Sequence, residues 1–175
     1  MGGKTKGSTK VTRIIVCDTG PLLHLSETGA IHLLSLAGEI LIPSMVAKEF
    51  EANAQGWKPP QWVKILELDE DAKQQAAGWI ESRKLDAGEA EAISLALQIK
   101  ADWLLTDDAL ARQFAEALQL EVHGSIGLLL WNIAMGNIEN QEQALNLLDN
   151  LAQSSLWVSE RVLQEARKAI TGLFS

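Results

Sequence analysis

The chain has 175 residues, of which 47% are hydrophobic, with one cysteine and a formal net charge of -8. That length buries one sizeable core but is short for two independent domains, and a lone Cys17 excludes an internal disulfide or a zinc site built on thiolates. The negative charge argues against a general nucleic-acid-coating protein, whose affinity comes from lysine and arginine displacing counterions; it leaves room for an enzyme that meets a phosphodiester through bound cations.

Residues 1–12, mostly Gly, Ser, Thr and Lys, read as a disordered tail or leader. Ile14, Ile15 and Val16 form the β-branched run of a strand buried on both faces, ended by Asp18. Pro21 opens a helix through Leu22, Leu23 and Leu25, and a short helix near residues 31–36 stops at Gly38. A strand is expected at 39–42, then a helix from Pro43 to about Ala54. After a loop with Gly56, Pro59 and Pro60, residues 63–68 read as extended, followed by helices at 71–82 and 86–100. A strand at 103–106, a helix at 109–118, a short strand at 120–123 and a helix at 125–135 come next. Two amphipathic helices, 139–152 and 159–172, complete the chain.

Strands alternating with helices predict a three-layer α/β/α fold around a central parallel β-sheet, with right-handed crossovers. The expected organisation is a domain over residues 13–136, with helices of 137–175 packed on it through the stripes Leu145, Leu148, Leu151 and Val158, Val162, Ala166, Ile170. The run Leu128, Leu129, Leu130, Trp131 makes one helix apolar around more than a core-facing stripe and suggests a homodimer. No apolar run approaches the roughly 20 residues of a bilayer span and no secretory h-region is present, so no membrane association and a cytoplasmic location are expected.

Ligands of such sheets bind outside the carboxyl ends of the strands. Asp18 follows the first strand there, and Asp107 with Asp108 follows the strand ending at Thr106. Each also precedes a helix, so N-capping explains any one of them alone. Glu49 shares an apolar stripe with Met45 and Val46, and Glu89 shares one with Ala92, Ile93 and Ala96; Glu89 is therefore read as inward and Glu91 as outward. Asp86 and Glu89 also fit a capping box. Inward carboxylates need a cation or strong donors, and few basic residues lie near in sequence, which points to a metal ion.

Asp18, Glu49, the segment from Leu85 through Asp86, Gly88, Glu89, Glu91 and Ile93, and the run Leu104 to Asp108 resemble, in this order, the PIN domain, and within it a prokaryotic branch close to the VapC-type toxins. The resemblance spans residues 14–136. It implies a ribonuclease using Mg²⁺ or Mn²⁺ on RNA, with the acidic quartet on Asp18, Glu49, Glu89 and the Asp107, Asp108 pair, and it brings in a toxin–antitoxin pair with an antitoxin partner. The toxin pattern Thr-x-Asp favours Asp108 of the pair, and Glu89 departs from the aspartate common at its position. Thr19 and Thr106 are candidates to donate to a carboxylate or a phosphate. The alternatives are a catalytically silent PIN-like module and a receiver-type domain, though neither the phosphoacceptor aspartate nor the lysine of the latter is evident. Asp18, Thr19 and Gly20 match the aspartic-protease triplet, but the helical pattern behind them does not suit that β-rich fold. His24, His32 and His123 share no metal-ligand spacing and read as surface or capped histidines; Cys17 reads as core. The six tryptophans read as core anchors or interface residues, with Trp57 and Trp62 flanking a loop able to meet a partner or RNA.

Overall fold

The computed structural model describes residues 12–175, so the tail expected over 1–12 lies, apart from Thr12, outside the described residues. Five parallel strands form one sheet: β1 (Ile14–Cys17), β2 (Glu39–Pro43), β3 (Val63–Leu66), β4 (Trp103–Leu105) and β5 (Val122–His123), in the order β3-β2-β1-β4-β5. Ile15, Val16 and Cys17 have no exposed surface, as a central strand covered on both faces requires. Val16 pairs with Leu41 on one side and Leu104 on the other, and Cys17 pairs with Leu105. The chain therefore runs outward through β2 and β3 and returns to the other side of β1 at β4. This reversal opens a crevice between the carboxyl ends of β1 and β4, the place where α/β sheets bind ligands.

The helices form the outer layers of the α/β/α fold. One layer holds α3 (Ser44–Asn53), α4 (Glu70–Glu81) and α5 (Ala87–Gln98), with α5 lying across β1, β2 and β4. The other gathers α1 (Thr19–Glu27), α2 (His32–Ala37), α8 (Gln141–Gln153) and α9 (Glu160–Leu173) around α7 (Ser125–Ala134), while α6 (Ala109–Ala117) packs beside β5. Because crossover helices run against the strands, the amino terminus of α5 lies at the carboxyl edge of the sheet.

Helix α1 starts at Thr19 with Asp18 as its N-cap, two residues before the expected start; Pro21 falls in the first turn, where its missing N–H has no intrahelical partner to lose. Leu128 and Leu129 are fully buried in a helix packed by α1, α2, α8 and α9, while Leu130 and Trp131 of the same run are half-buried. Ala144, Leu148, Leu151, Ala166 and Ile170 join the same core as the sheet residues. The stripe expected along α9 does not run its full length inward: Val162 is 41% exposed, and with Val158 it faces a cleft.

Candidate active site

A cleft of about 520 Å³ lies over the carboxyl ends of β1 and β4. Asp18, Glu49, Asp86, Glu89, Asp107 and Asp108 all reach it, as do Thr19 and His24, and no lysine or arginine lines it. The sequence-predicted carboxylates thus come together, but they are held in two different ways.

Glu49 and Asp107 brace neighbouring elements of the fold as well as lining the cleft. Glu49 Oε1 accepts from the Gly88 N–H at 3.0 Å and Oε2 accepts from Thr19 Oγ1 at 2.6 Å, so this carboxylate ties α1 to the first turn of α5. Gly88 makes the approach feasible: a Cβ there would stand 2.1 Å from Glu49 Oε2. Asp107 Oδ1 accepts from the Ser125 N–H at 2.7 Å, and Oδ2 meets Ser125 Oγ at 2.5 Å and His24 Nδ1 at 2.6 Å. It caps α7 and clamps α1 against it. Asp107 also needs the glycine at 124, where a Cβ would lie 2.7 Å from its Oδ1.

Asp18, Glu89 and Asp108 each keep capacity toward the cleft. Asp18 is 6% exposed, accepts from the Thr19 N–H at 2.7 Å through Oδ1 and from Thr106 Oγ1 at 3.1 Å through Oδ2. Burial pushes its carboxyl up to about 7 against these two donors, and the charges of Asp86 and Glu49 push the same way. Glu89 is likewise pushed up to about 7, first by burial and then by Asp86, Asp108 and Asp18. The capping box is real: Asp86 Oδ1 accepts from the Glu89 N–H at 2.9 Å, and Glu89 Oε2 accepts from the Asp86 N–H at 3.1 Å. It occupies one oxygen of each carboxylate and leaves the other. Asp108 Oδ1 caps α6 by accepting from the Ala111 N–H at 2.8 Å. Thr19 and Thr106 both donate to carboxylates of this group.

Glu91 and His24 differ from their expected placement. Glu91 does not point outward into solvent: it is half-buried, and its Oε2 accepts from the Met45 N–H at 3.3 Å, supplying the amino terminus of α3 where Pro43 as N-cap has no side-chain acceptor. His24 is not a surface histidine; it is buried on Asp107 at the cleft wall. Its spacing of four from Gly20 puts it on the cleft side of α1, a signal that a search for metal-ligand spacings passes over. Trp57 packs on Phe50, ring centroids 4.1 Å apart, at the margin of the core, in keeping with the core-anchoring role expected of the tryptophans. Two contributors were also not named from sequence. Asp86 was read only as a cap, and the segment Leu156, Trp157, Val158, Ser159 between α8 and α9, which forms one wall of the cleft, gave no local sign.

The donors facing the cleft are carboxylate oxygens, the hard ligands that Mg²⁺ and Mn²⁺ take. Among the described residues no three acidic, histidine or cysteine groups already stand close enough to share an ion. The chemistry of the set nevertheless fits a divalent cation: Asp18 is buried among like charges, receives only neutral donors, and forms no ion pair among the described residues.

Fold and site together define a parallel-sheet α/β protein with an acidic, cation-seeking cleft at its topological switch point. A family model described as the PIN domain matches residues 14–171, and the chain belongs to the PIN-domain family. PIN domains are generally nucleases and typically use divalent metals. No curated protein matches the chain.

Proposed function

We propose that the protein is a Mg²⁺- or Mn²⁺-dependent endoribonuclease that hydrolyses RNA phosphodiesters. The observation that carries this reading is Asp18: a buried carboxylate at the switch point, surrounded by like charges and supplied with no cationic partner. Asp18, Glu89 and Asp108 would hold the ion, with Glu49, whose oxygens accept one donor each as those of Asp18 do, beside them; Asp107, which takes three donors from Ser125 and His24, positions the site. A bound divalent ion supplies charge neutralisation at the scissile phosphate and an activated water. Glu49 fixes the mutual placement of α1 and α5 through Thr19 and Gly88, and Thr106 orients Asp18. In the metal-free site the Glu89 carboxyl is pushed up to about 7, so binding the ion near neutral pH would displace a proton from it. A place as the toxin of a toxin–antitoxin pair, with a protein antitoxin, belongs to the same proposal and rests on the resemblance of the motifs.

A second reading, a catalytically silent PIN-like module, draws on the absence of a preformed three-group ion site among the described residues. Asp18→Asn separates the two. As a ribonuclease, the variant loses cleavage on the order of a hundredfold or more, the scale of a lost electrostatic group in an active site. Its metal-free melting temperature stays the same or rises, since a like charge has gone, and the stabilisation produced by Mn²⁺ shrinks. As a silent module with Asp18 only a helix cap, it melts and responds to Mn²⁺ like the wild type, because asparagine caps as well as aspartate. Wild-type protein that leaves RNA intact in Mn²⁺ would overturn the ribonuclease reading.

A further inference from the structure

Trp157 is 84% exposed, whereas the other tryptophans of the chain are buried or half-buried. Its exposure does not come from a loose segment. Glu27 of α1 accepts from the Ser155 N–H at 2.7 Å and from Ser155 Oγ at 2.8 Å, Leu156 is 8% exposed, and Ser159 caps α9 by accepting from the Val162 N–H. The loop is fastened on both sides of the ring, which stands out from it. With Val158 and the 41% exposed Val162 the ring forms one contiguous apolar patch, the kind of surface that marks a contact site.

The ring stands on the ridge between two depressions. On one side is the carboxylate cleft; on the other is a hollow of about 320 Å³ lined by Arg112, His123, Gly124 and Gly127, with Leu156, Trp157, Val158, Val162 and the hydrogen-bonded Asp107 common to both. Among the described residues Arg112 is the one lysine or arginine lining either depression. It has no carboxylate within 4.0 Å among the described residues, and its only side-chain hydrogen bond there is a long one, 3.4 Å, to the Val122 carbonyl.

We propose that Trp157 is a stacking platform for an unpaired base of single-stranded RNA, with a phosphate next to that base taken by Arg112. The proposal rests on the ribonuclease reading of the carboxylate cleft. A cation-holding cleft, an exposed flat ring and a guanidinium in succession match the alternation of phosphate, base and phosphate along one strand. Charge decides against a duplex: a chain of net charge -8 with one arginine in the track cannot draw its affinity from many phosphate contacts. Stacking on an aromatic face depends little on salt and accepts any base, but it needs that base unpaired.

The test measures binding of a fluorescein-labelled single-stranded oligoribonucleotide to the full chain in Ca²⁺, and cleavage in Mn²⁺, for wild type, Trp157→Ala, Trp157→Phe and Arg112→Gln. Trp157→Ala should weaken binding about tenfold, the size of one base–aromatic stack, and raise KM with kcat nearly unchanged. Trp157→Phe should restore most of the loss. Arg112→Gln should reduce the already shallow salt dependence by about one phosphate contact. An oligonucleotide fully paired to its complement should bind Trp157→Ala and wild type alike.

Wild-type cleavage with Trp157→Ala indistinguishable in binding and KM overturns the platform and leaves the ribonuclease reading standing. Binding that depends on Trp157 without any cleavage supports the platform and overturns the ribonuclease reading. Absence of both binding and cleavage overturns the two together. A monomer–dimer equilibrium abolished by Trp157→Ala, with RNA binding intact, overturns the platform by assigning the ring to a protein contact.

Discussion

The two edges of the sheet are built on opposite electrostatic principles. At the amino edge, Arg13 lies 4.0 Å from the ring centroid of Trp103 and 5.1 Å from that of Trp131, and donates to the Ala37 carbonyl at 3.0 Å; Asp102 accepts from the Ile14 N–H at 2.7 Å. Both of these charges have a partner. At the carboxyl edge, Asp18 and Glu89 have neutral donors and anionic neighbours, and their carboxyls are pushed up to about 7. One edge closes the fold, and the other gathers unfavourable charge that the proposed cation would relieve. Strand direction alone distinguishes them, because helix amino termini and strand ends meet only at the carboxyl edge.

The comparison is broken most directly by pH. Asp18 holds its proton more tightly folded than unfolded, so between pH 4 and pH 7 the folded state carries more protons and stability falls as pH rises. The stability is fully present below the unfolded value near 3.8 and is lost by about pH 7, a change of up to roughly 4 kcal/mol for this group. Glu89 acts in the same direction. Denaturant melts of metal-free protein across this range should show the decline, and saturating Mn²⁺ should flatten it, since the ion competes with the proton. A metal-free stability that climbs from pH 4 to pH 7 would contradict the account of the carboxyl edge.

Arg13→Gln probes the other edge. Losing the two aromatic contacts should cost about 1–2 kcal/mol of stability, with the response to Mn²⁺ and cleavage per folded molecule unchanged. A loss of activity beyond the loss of fold would erase the division of labour between the edges.

Gly88→Ala has the smallest expected effect on stability and sharpens the comparison through activity. Alanine in the first turn of α5 is worth up to about 1 kcal/mol in helix propensity, but its Cβ would stand 2.1 Å from Glu49 Oε2 and displace that carboxylate from Gly88 N–H and Thr19. Melting temperature should move little while cleavage falls about 10- to 100-fold, as when a residue that orients a metal ligand is lost. Equal activity would remove Glu49 from the positioning set.

How legible the site was depended on whether its residues advertise themselves locally. Asp18, Asp107 and Asp108 were readable because a β-branched run ending in aspartate marks a strand end, and Glu49 and Glu89 because helical spacing put them beside apolar residues. The same spacing misjudged Glu91, since a face that is half-covered by α3 cannot be told from a solvated one without knowing that α3 is there. His24 and Asp86 were seen and assigned minor roles, because their neighbours in space, Asp107 and Asp18, are distant in sequence.

The sequence by itself determined the alternation of strands and helices, the parallel sheet that follows from it, and the edge at which carboxylates gather, because these depend on periodicities of 2 and 3.6 and on strand direction. Which of the cleft carboxylates also brace neighbouring elements was set in the tertiary structure alone. That choice turns on single hydrogen bonds across the switch point, between Glu49 and Gly88 and between Asp107, Ser125 and His24. It also decided that Trp157 stands exposed on the cleft wall, since Glu27 and Ser155, which hold its loop there, lie 128 residues apart and no local pattern joins them.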